Sequence, residues 1–148
     1  MSLATYRKKR KFIKTPEPQG KVGKSEKETI FVVQEHEASH HHFDFRLEIG
    51  GVLKSWAIPK TLPQKAGEKR LAVQVEDHPL EYGFFEGMIP EGQYGAGQVV
   101  IWDKGDLKII EKEKNSIRFQ LLGKQLKGEY RLFHPPTFEE KNWLLMKK

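Results

Sequence analysis

The chain has 148 residues, enough for one domain with a core of its own and short of two typical domains. It contains no cysteine, which excludes disulfides, thiolate metal centres and cysteine nucleophiles. No apolar run approaches the ~18 residues that span a membrane, and the N-terminus lacks a secretory apolar stretch, so a cytoplasmic protein is expected. The formal net charge of +6 makes nucleic acid the first partner to consider, although composition alone fits a merely soluble basic protein better.

Residues 1–29 read as an irregular basic N-terminal arm, set apart from a domain over 30–148. Arg7, Lys8, Lys9, Arg10, Lys11 and Lys14 crowd one stretch, and Pro16, Pro18, Gly20 and Gly23 then break regular structure. Such a run either contacts phosphates or forms a solvated tail. The domain itself reads as β. Residues 30–35 form a β-branched apolar run, and residues 35–41 have room for a helical turn. Residues 42–49 alternate, with Phe43, Phe45, Leu47 and Ile49 on one face and His42, Asp44, Arg46 and Glu48 on the other. Gly50-Gly51 signals a hairpin into a strand over 52–58.

Residues 70–76 alternate again, with Gln74, Glu76 and His78 opposite Leu71, Val73 and Val75. Further strands are expected over 98–102, 106–110, 116–121, 126–133 and 142–146. Turns fall at Asp103-Lys104-Gly105 and Gly123, and a helical turn at 136–141. The stretch Pro90-Glu91-Gly92-Gln93-Tyr94-Gly95-Ala96-Gly97 matches no nucleotide fingerprint and reads as a tight bend. The expected fold is mainly all-β: a compact antiparallel barrel of about eight strands with one or two short helices. The polar face of residues 42–48 is expected to point inward, placing a site in the barrel mouth.

Four histidines, His36, His40, His41 and His42, fall within seven residues, followed by Asp44 and Arg46. A strand sets His42, Asp44 and Arg46 on one face, some ~6–7 Å apart in succession, and His36 can close a third ligand position. Two imidazoles and a carboxylate leave open positions on a cation, and without sulfur they suit Mn²⁺, Zn²⁺ or Fe²⁺. Histidine clusters also occur on surfaces without function. Arg46 favours the metal: a guanidinium beside a cation makes sense when a phosphoryl anion lies between them. His40 and His41 read as bystanders. His78, before Pro79, is placed to meet a phosphate or a leaving oxygen, or is an exposed loop histidine. Glu76 either orients a ligand or is solvated.

Several ordered motifs together resemble the phosphoesterase domain of bacterial DNA ligase D. They are Gln34-x-His36, His42-Phe43-Asp44-Phe45-Arg46-Leu47-Glu48, Ser55-Trp56-Ala57-Ile58-Pro59-Lys60, Val75-Glu76-Asp77-His78-Pro79-Leu80, Phe85-Glu86-Gly87-Met88-Ile89-Pro90-Glu91-Gly92 and Trp143-Leu144-Leu145. Thr15-Pro16-Glu17-Pro18 in the arm extends the likeness over nearly the whole chain.

The resemblance implies a 3′-end-healing enzyme on a β-barrel that removes 3′-phosphates and terminal 3′ ribonucleotides with a divalent metal, typically Mn²⁺, with Zn²⁺ or Co²⁺ as other occupants. It implies His36, His42 and Asp44 as metal ligands, and Arg46 and His78 as the phosphate-contacting catalytic pair. Tyr82 is a further active-site residue by the same likeness. Gln34, Ser55, Lys60, Arg70 and Glu76 are implied as supporting polar groups, with Lys60 and Arg70 toward substrate. Arg10 and Glu17 match arm residues associated with ribonucleotide removal. Lys11 stands where the family usually has Asp, a charge reversal that bears on that step. Expected partners are nucleic-acid 3′ ends, as primer–template, together with a separate ligase and polymerase. A monomer is expected.

Two other classes share some of these features. Non-haem iron oxygenases use two histidines and a carboxylate on β-barrels, with His134 as a distal ligand here. A non-catalytic nucleic-acid-binding barrel would use the basic arm and the aromatic residues but leave the His-Asp-Arg face without purpose.

Overall fold

A computed structural model describes residues 3–10, 17 and 29–148. Nine strands run β1 (Thr29–Glu37), β2 (His41–Ile49), β3 (Val52–Ile58), β4 (Lys69–His78), β5 (Gly87–Ile89), β6 (Gly97–Glu113), β7 (Ser116–Leu122), β8 (Lys127–Phe133) and β9 (Asn142–Lys147). A short helix, α1 (Ala4–Lys8), precedes them, and a 3-10 helix, Leu80–Phe84, lies between β4 and β5. Neighbours follow the order β1-β2-β3-β4-β9-β8-β7-β6, and β6 pairs back onto β1. The result is a closed antiparallel barrel of eight strands, with β5 added on the start of β6. Closure leaves the eight barrel strands without a free edge.

The alternation read along residues 42–49 is present, and it settles which face is inside. Phe43, Phe45 and Leu47 join Phe31, Trp56 and Phe119 in the core that fills the barrel. The expectation of a polar inward face is therefore reversed: His42, Asp44 and Arg46 point to the outside of the wall. Apolar side chains claim the lumen because a barrel of this size has room only for packed side chains, and an interior charge would lose its water.

A second apolar cluster lies over that outer wall. Val32 and Leu53 from the barrel meet Tyr6 of α1, Tyr82 of the 3-10 helix, Phe85 and Ile89. Tyr6 is wholly buried. A five-residue helix cannot persist on its own propensity. Burial of the Tyr6 ring, worth about 2 kcal/mol, holds it in place. The described part of the arm is thus partly helical and docked, rather than irregular throughout.

Other local expectations change for identifiable reasons. Residues 35–41 form the end of β1 and a bend, since Glu37 still pairs with His41. Residues 136–141 form turns without a helix. Gly50 and Gly51 take φ of 64° and 82°, the left-handed pair that a two-residue hairpin requires. Asp103-Lys104-Gly105 is not a turn: β6 runs unbroken through it, pairing with β1 on its first part and β7 on its second. Asp103 instead accepts backbone N–H groups from Lys104, Lys124, Gln125 and Leu126 at 2.8–3.1 Å, closing the turn between β7 and β8.

The expected β4 face also changes. Val75 pairs with Ser55 and His78 with Leu53, so one extra residue intervenes on β4. This bulge brings His78 onto the same outer face as Val75, whereas Gln74 pairs with the core residue Trp56.

Asp103→Ala should lower stability by about 3 kcal/mol, because it strands four backbone donors that now share a carboxylate. A urea midpoint within error of the unsubstituted protein's would show the carboxylate is dispensable.

Candidate metal centre and phosphate pocket

The register of β1 and β2 assembles the site. His36 lies opposite His42, Gln34 opposite Asp44 and Val32 opposite Arg46, while Arg46 faces Ser55 on β3. Directly paired residues present side chains to the same face. Three candidate ligand atoms, one each from His36, His42 and Asp44, lie within 4.8 Å of one another. Asp44 Oδ2 is the meeting point, 3.5 Å from His36 Nδ1 and 3.3 Å from His42 Nε2.

The far nitrogen of each ring meets a backbone carbonyl. His36 Nε2 is 2.7 Å from Gly95 O, and His42 Nδ1 is 2.9 Å from His40 O. A carbonyl only accepts, so those nitrogens carry the hydrogen and the other two present lone pairs toward Asp44. That donor set, two neutral imidazole nitrogens and a carboxylate oxygen around one point, fits a divalent cation. In the metal-free site a proton competes for the same place: the hydrogen bond to Asp44 raises the His42 pKa. Burial opposes ionisation of Asp44, but the Arg46 charge and both histidines outweigh it and hold the carboxyl well below the usual range. Glu35, Glu37 and His41 also approach one another, on an exposed rim of the hairpin.

Arg46 is buried and fixed on three sides. Its Nε donates to Gln34 Oε1 at 2.7 Å and its Nη1 to Ser55 Oγ at 2.8 Å, while Nη2 stands 3.5 Å from Asp44 Oδ2. Its carbon centre lies 4.9 Å from the Tyr82 ring centroid. Among the described residues, two of the five guanidinium N–H groups have no protein acceptor.

His78 is 4% exposed. Its Nδ1 is 2.9 Å from Glu76 O, which makes it the donor, and Nε2 receives an N–H from Arg10 Nη2 at 3.3 Å. Burial, with the Arg46 and Arg10 charges, lowers its pKa well below the ordinary value, so the ring is neutral at pH 7.

Arg10 extends from the arm into the same pocket. It donates to Glu17 at 2.8 Å, Glu76 at 3.3 Å and Tyr6 O at 3.2 Å, and lies over the Tyr6 ring. Tyr82 donates its hydroxyl to Glu17 at 2.7 Å, and burial raises its pKa, so it remains a phenol. The pocket has a volume of about 200 Å³. Around it, Lys9, Arg10 and Arg46 stand against Asp44, Glu17 and Glu76, a balance that a divalent cation would turn positive.

The structure brings together His36, His42, Asp44, Arg46, His78, Tyr82, Gln34, Ser55, Glu76, Arg10 and Glu17. Lys60 and Arg70 do not line the pocket. Arg70 contacts Thr61 and Glu68 on the β3–β4 connection that Lys60 begins. Lys11 lies outside the described residues. Sequence reasoning named Lys9 only within the basic run and Tyr94-Gly95 only as a bend and part of the family likeness, and it gave Tyr6 no role at the pocket. Tyr6 left a signal, an aromatic residue inside a basic run. Gly95 left none, because it contributes a main-chain carbonyl.

The DNA Ligase D 3′-phosphoesterase domain family matches residues 34–134. The chain belongs to that family. It is 44% identical over 153 residues to the Multifunctional non-homologous end joining protein LigD of Pseudomonas aeruginosa, covering 98% of this chain and 18% of that protein. It is 45% identical over 154 residues to the protein of the same name from Mycolicibacterium smegmatis, covering 96% and 20%. Against the Multifunctional non-homologous end joining DNA repair protein LigD of Mycobacterium tuberculosis the identity is 46% over 136 residues, covering 88% and 18%. The chain thus spans about one fifth of the length of these relatives. Among the described residues, no helix is long and apolar enough to cross a membrane. Family membership makes the chain a hydrolase of the phosphoesterase class.

Two predictions follow from the pocket's chemistry. Gly95 has φ of 75°, strained for any side chain, and its carbonyl holds His36 Nε2 at 2.7 Å. Gly95→Ala should weaken Mn²⁺ binding about tenfold by calorimetry, the usual scale for disturbing a ligand's outer hydrogen bond. Gly92→Ala has comparable backbone strain, with φ of 86° and open space at Cβ, and should bind normally. Equal loss in both would discard the Gly95–His36 link.

The folded pKa of His78 lies below its unfolded value near 6.5. The unfolded chain therefore takes up the proton first, and stability falls as pH drops through that value. The slope from this group approaches about 1.4 kcal/mol per pH unit. Urea titrations between pH 7 and 5.5 should show a shallower fall in His78→Asn; parallel curves would mean the ring titrates alike in the folded and unfolded chain.

Proposed function

We propose that the chain is a divalent-metal-dependent 3′-end-healing phosphoesterase, acting on DNA or RNA ends in strand-break repair, with Mn²⁺ the first candidate metal. It would remove 3′-phosphates, and 3′-terminal ribonucleotides where the arm permits, leaving a 3′-OH for a separate polymerase or ligase. The observation that carries this is the shared pocket: a three-ligand cation site beside a buried guanidinium with two N–H groups to spare, and a neutral histidine across from it.

Hydrolysis joins a water oxygen to phosphorus as the P–O3′ bond breaks. The O3′ takes a proton, and phosphate leaves. A metal held by His36, His42 and Asp44 would supply charge neutralisation and an acidified water. Arg46 grips phosphoryl oxygens in an orientation already set by Gln34 and Ser55, so little order is lost on binding. An incoming phosphate dianion favours protonation of His78, which then donates to a phosphoryl or leaving oxygen. Tyr82, a persistent phenol, supports Arg46 with its ring and Glu17 with its hydroxyl. Arg10, braced by Glu17, forms the arm's wall of the pocket, where a terminal ribonucleotide would be recognised. Lys60 and Arg70, outside the pocket, would meet the strand's phosphates farther along.

The oxygenase reading gains nothing from the structure: His134 donates to Asn142 O and packs on Trp143, away from the cluster. A purely binding barrel would have no use for a metal-shaped donor set.

A 3′-phosphate primer–template with Mn²⁺ should be converted to a 3′-OH by the unsubstituted protein. His42→Ala and Arg46→Ala should each lose at least ~100-fold in rate, and Arg46→Lys should stay impaired because it lacks the two-pronged grip. Undiminished turnover by His42→Ala would overturn the assignment.

A further inference from the structure

Resting on the reading above, we propose that Tyr94 is the stacking platform for the terminal nucleobase of the 3′ end, and that the cleft beside the metal pocket receives that nucleoside. A phosphoryl group held by Arg46 and His78 is bonded to a sugar and base that must leave the small pocket through its mouth. A second cleft of about 560 Å³ adjoins it, and the two share Val75, Glu76 and Tyr94 as a common wall. A nucleoside attached to phosphate in the first space therefore enters the second.

The wall offers one suitable aromatic surface. Tyr6 and Tyr82 are 0% and 2% exposed, whereas Tyr94 is 47% exposed. Lys9 Nζ and the Arg10 guanidinium lie 4.8 and 5.2 Å from its ring centroid, and Lys9 also donates to its hydroxyl at 3.3 Å. These cations fix the ring, and Glu76 and Glu17 hold them in place. The other wall of the cleft is polar, with Gln74, Asp77 and Lys141, which suits a sugar and base edges better than an apolar guest. Position is also fixed relative to the metal site, since the next residue, Gly95, accepts the His36 hydrogen bond. Every base has a π face, so such a platform would accept any terminal base.

The test uses a strand whose 3′-terminal nucleotide is 2-aminopurine, with a 3′-phosphate or a 3′-OH, and the full chain with Mn²⁺. Binding should quench the fluorescence with the unsubstituted protein, Tyr94→Phe and Tyr94→Trp. Tyr94→Ala should lose the quench and raise KM roughly tenfold on base-bearing ends. On an end whose last sugar is abasic, its KM should change less than twofold, and its Mn²⁺ affinity should be unchanged. An equal KM increase on abasic and base-bearing ends, or a quench that survives in Tyr94→Ala, overturns the platform. Quenching without hydrolysis of any 3′-phosphate would instead sink the phosphoesterase reading and leave the platform standing.

Discussion

One carboxylate oxygen organises the functional face. Asp44 Oδ2 lies 3.3–3.5 Å from His36, His42 and Arg46 together, in a place largely removed from water. Burial alone would drive that carboxyl toward its neutral form, and the cationic guanidinium, with the two histidines, reverses the balance. Arg46 is itself buried and needs the carboxylate for the same reason. The two charges are therefore stable only as neighbours, and that mutual dependence places a candidate metal ligand and a candidate phosphate-binding group side by side.

Placement on the outside of the wall follows from the barrel. Eight strands leave a lumen just large enough for side chains, and Phe31, Phe45, Trp56 and Phe119 fill it. A polar constellation on strand β2 then has to face outward, and outward means solvent unless something covers it. α1, the 3-10 helix and β5 provide that cover through Tyr6, Tyr82, Phe85 and Ile89. The cover lowers the local dielectric, strengthening every charge–charge contact beneath it. It also brings Arg10 and Glu17 into the pocket from a part of the chain distant in sequence.

Much of this was legible in the sequence because β-structure repeats every two residues. The alternation through His42, Asp44 and Arg46 gave their common face, and Gly50-Gly51 gave the hairpin to Ser55. Alternation does not say which face is inside, and there the inward reading went wrong. Strict period-two reasoning also failed on β4, where the bulge between Val75 and His78 shifts the phase. Asp103 was misread as a turn residue because its role is to accept N–H groups from residues 124–126, a tertiary relation that local propensity cannot carry. The Gly95 carbonyl was invisible for the same reason.

The arm shows how these constraints combine. His78 spends its Nδ1 hydrogen on Glu76 O, and its Nε2 lone pair takes a hydrogen from Arg10. In this arrangement the ring has no free donor to offer a phosphoryl oxygen. Under the proposed chemistry, the approaching dianion must draw Arg10 away from Nε2 or replace that bond when the ring takes up a proton. Glu17 and Glu76 hold Arg10 from two other directions and balance its charge whether or not it bonds to His78. Burial chiefly keeps His78 neutral, with the Arg46 and Arg10 charges adding to it, and under the proposed chemistry an Arg10 that turned toward the phosphate would give the arm a share in the step that a solvated tail would not have. The +6 net charge alone could not distinguish these roles; the buried contacts of Arg10 do.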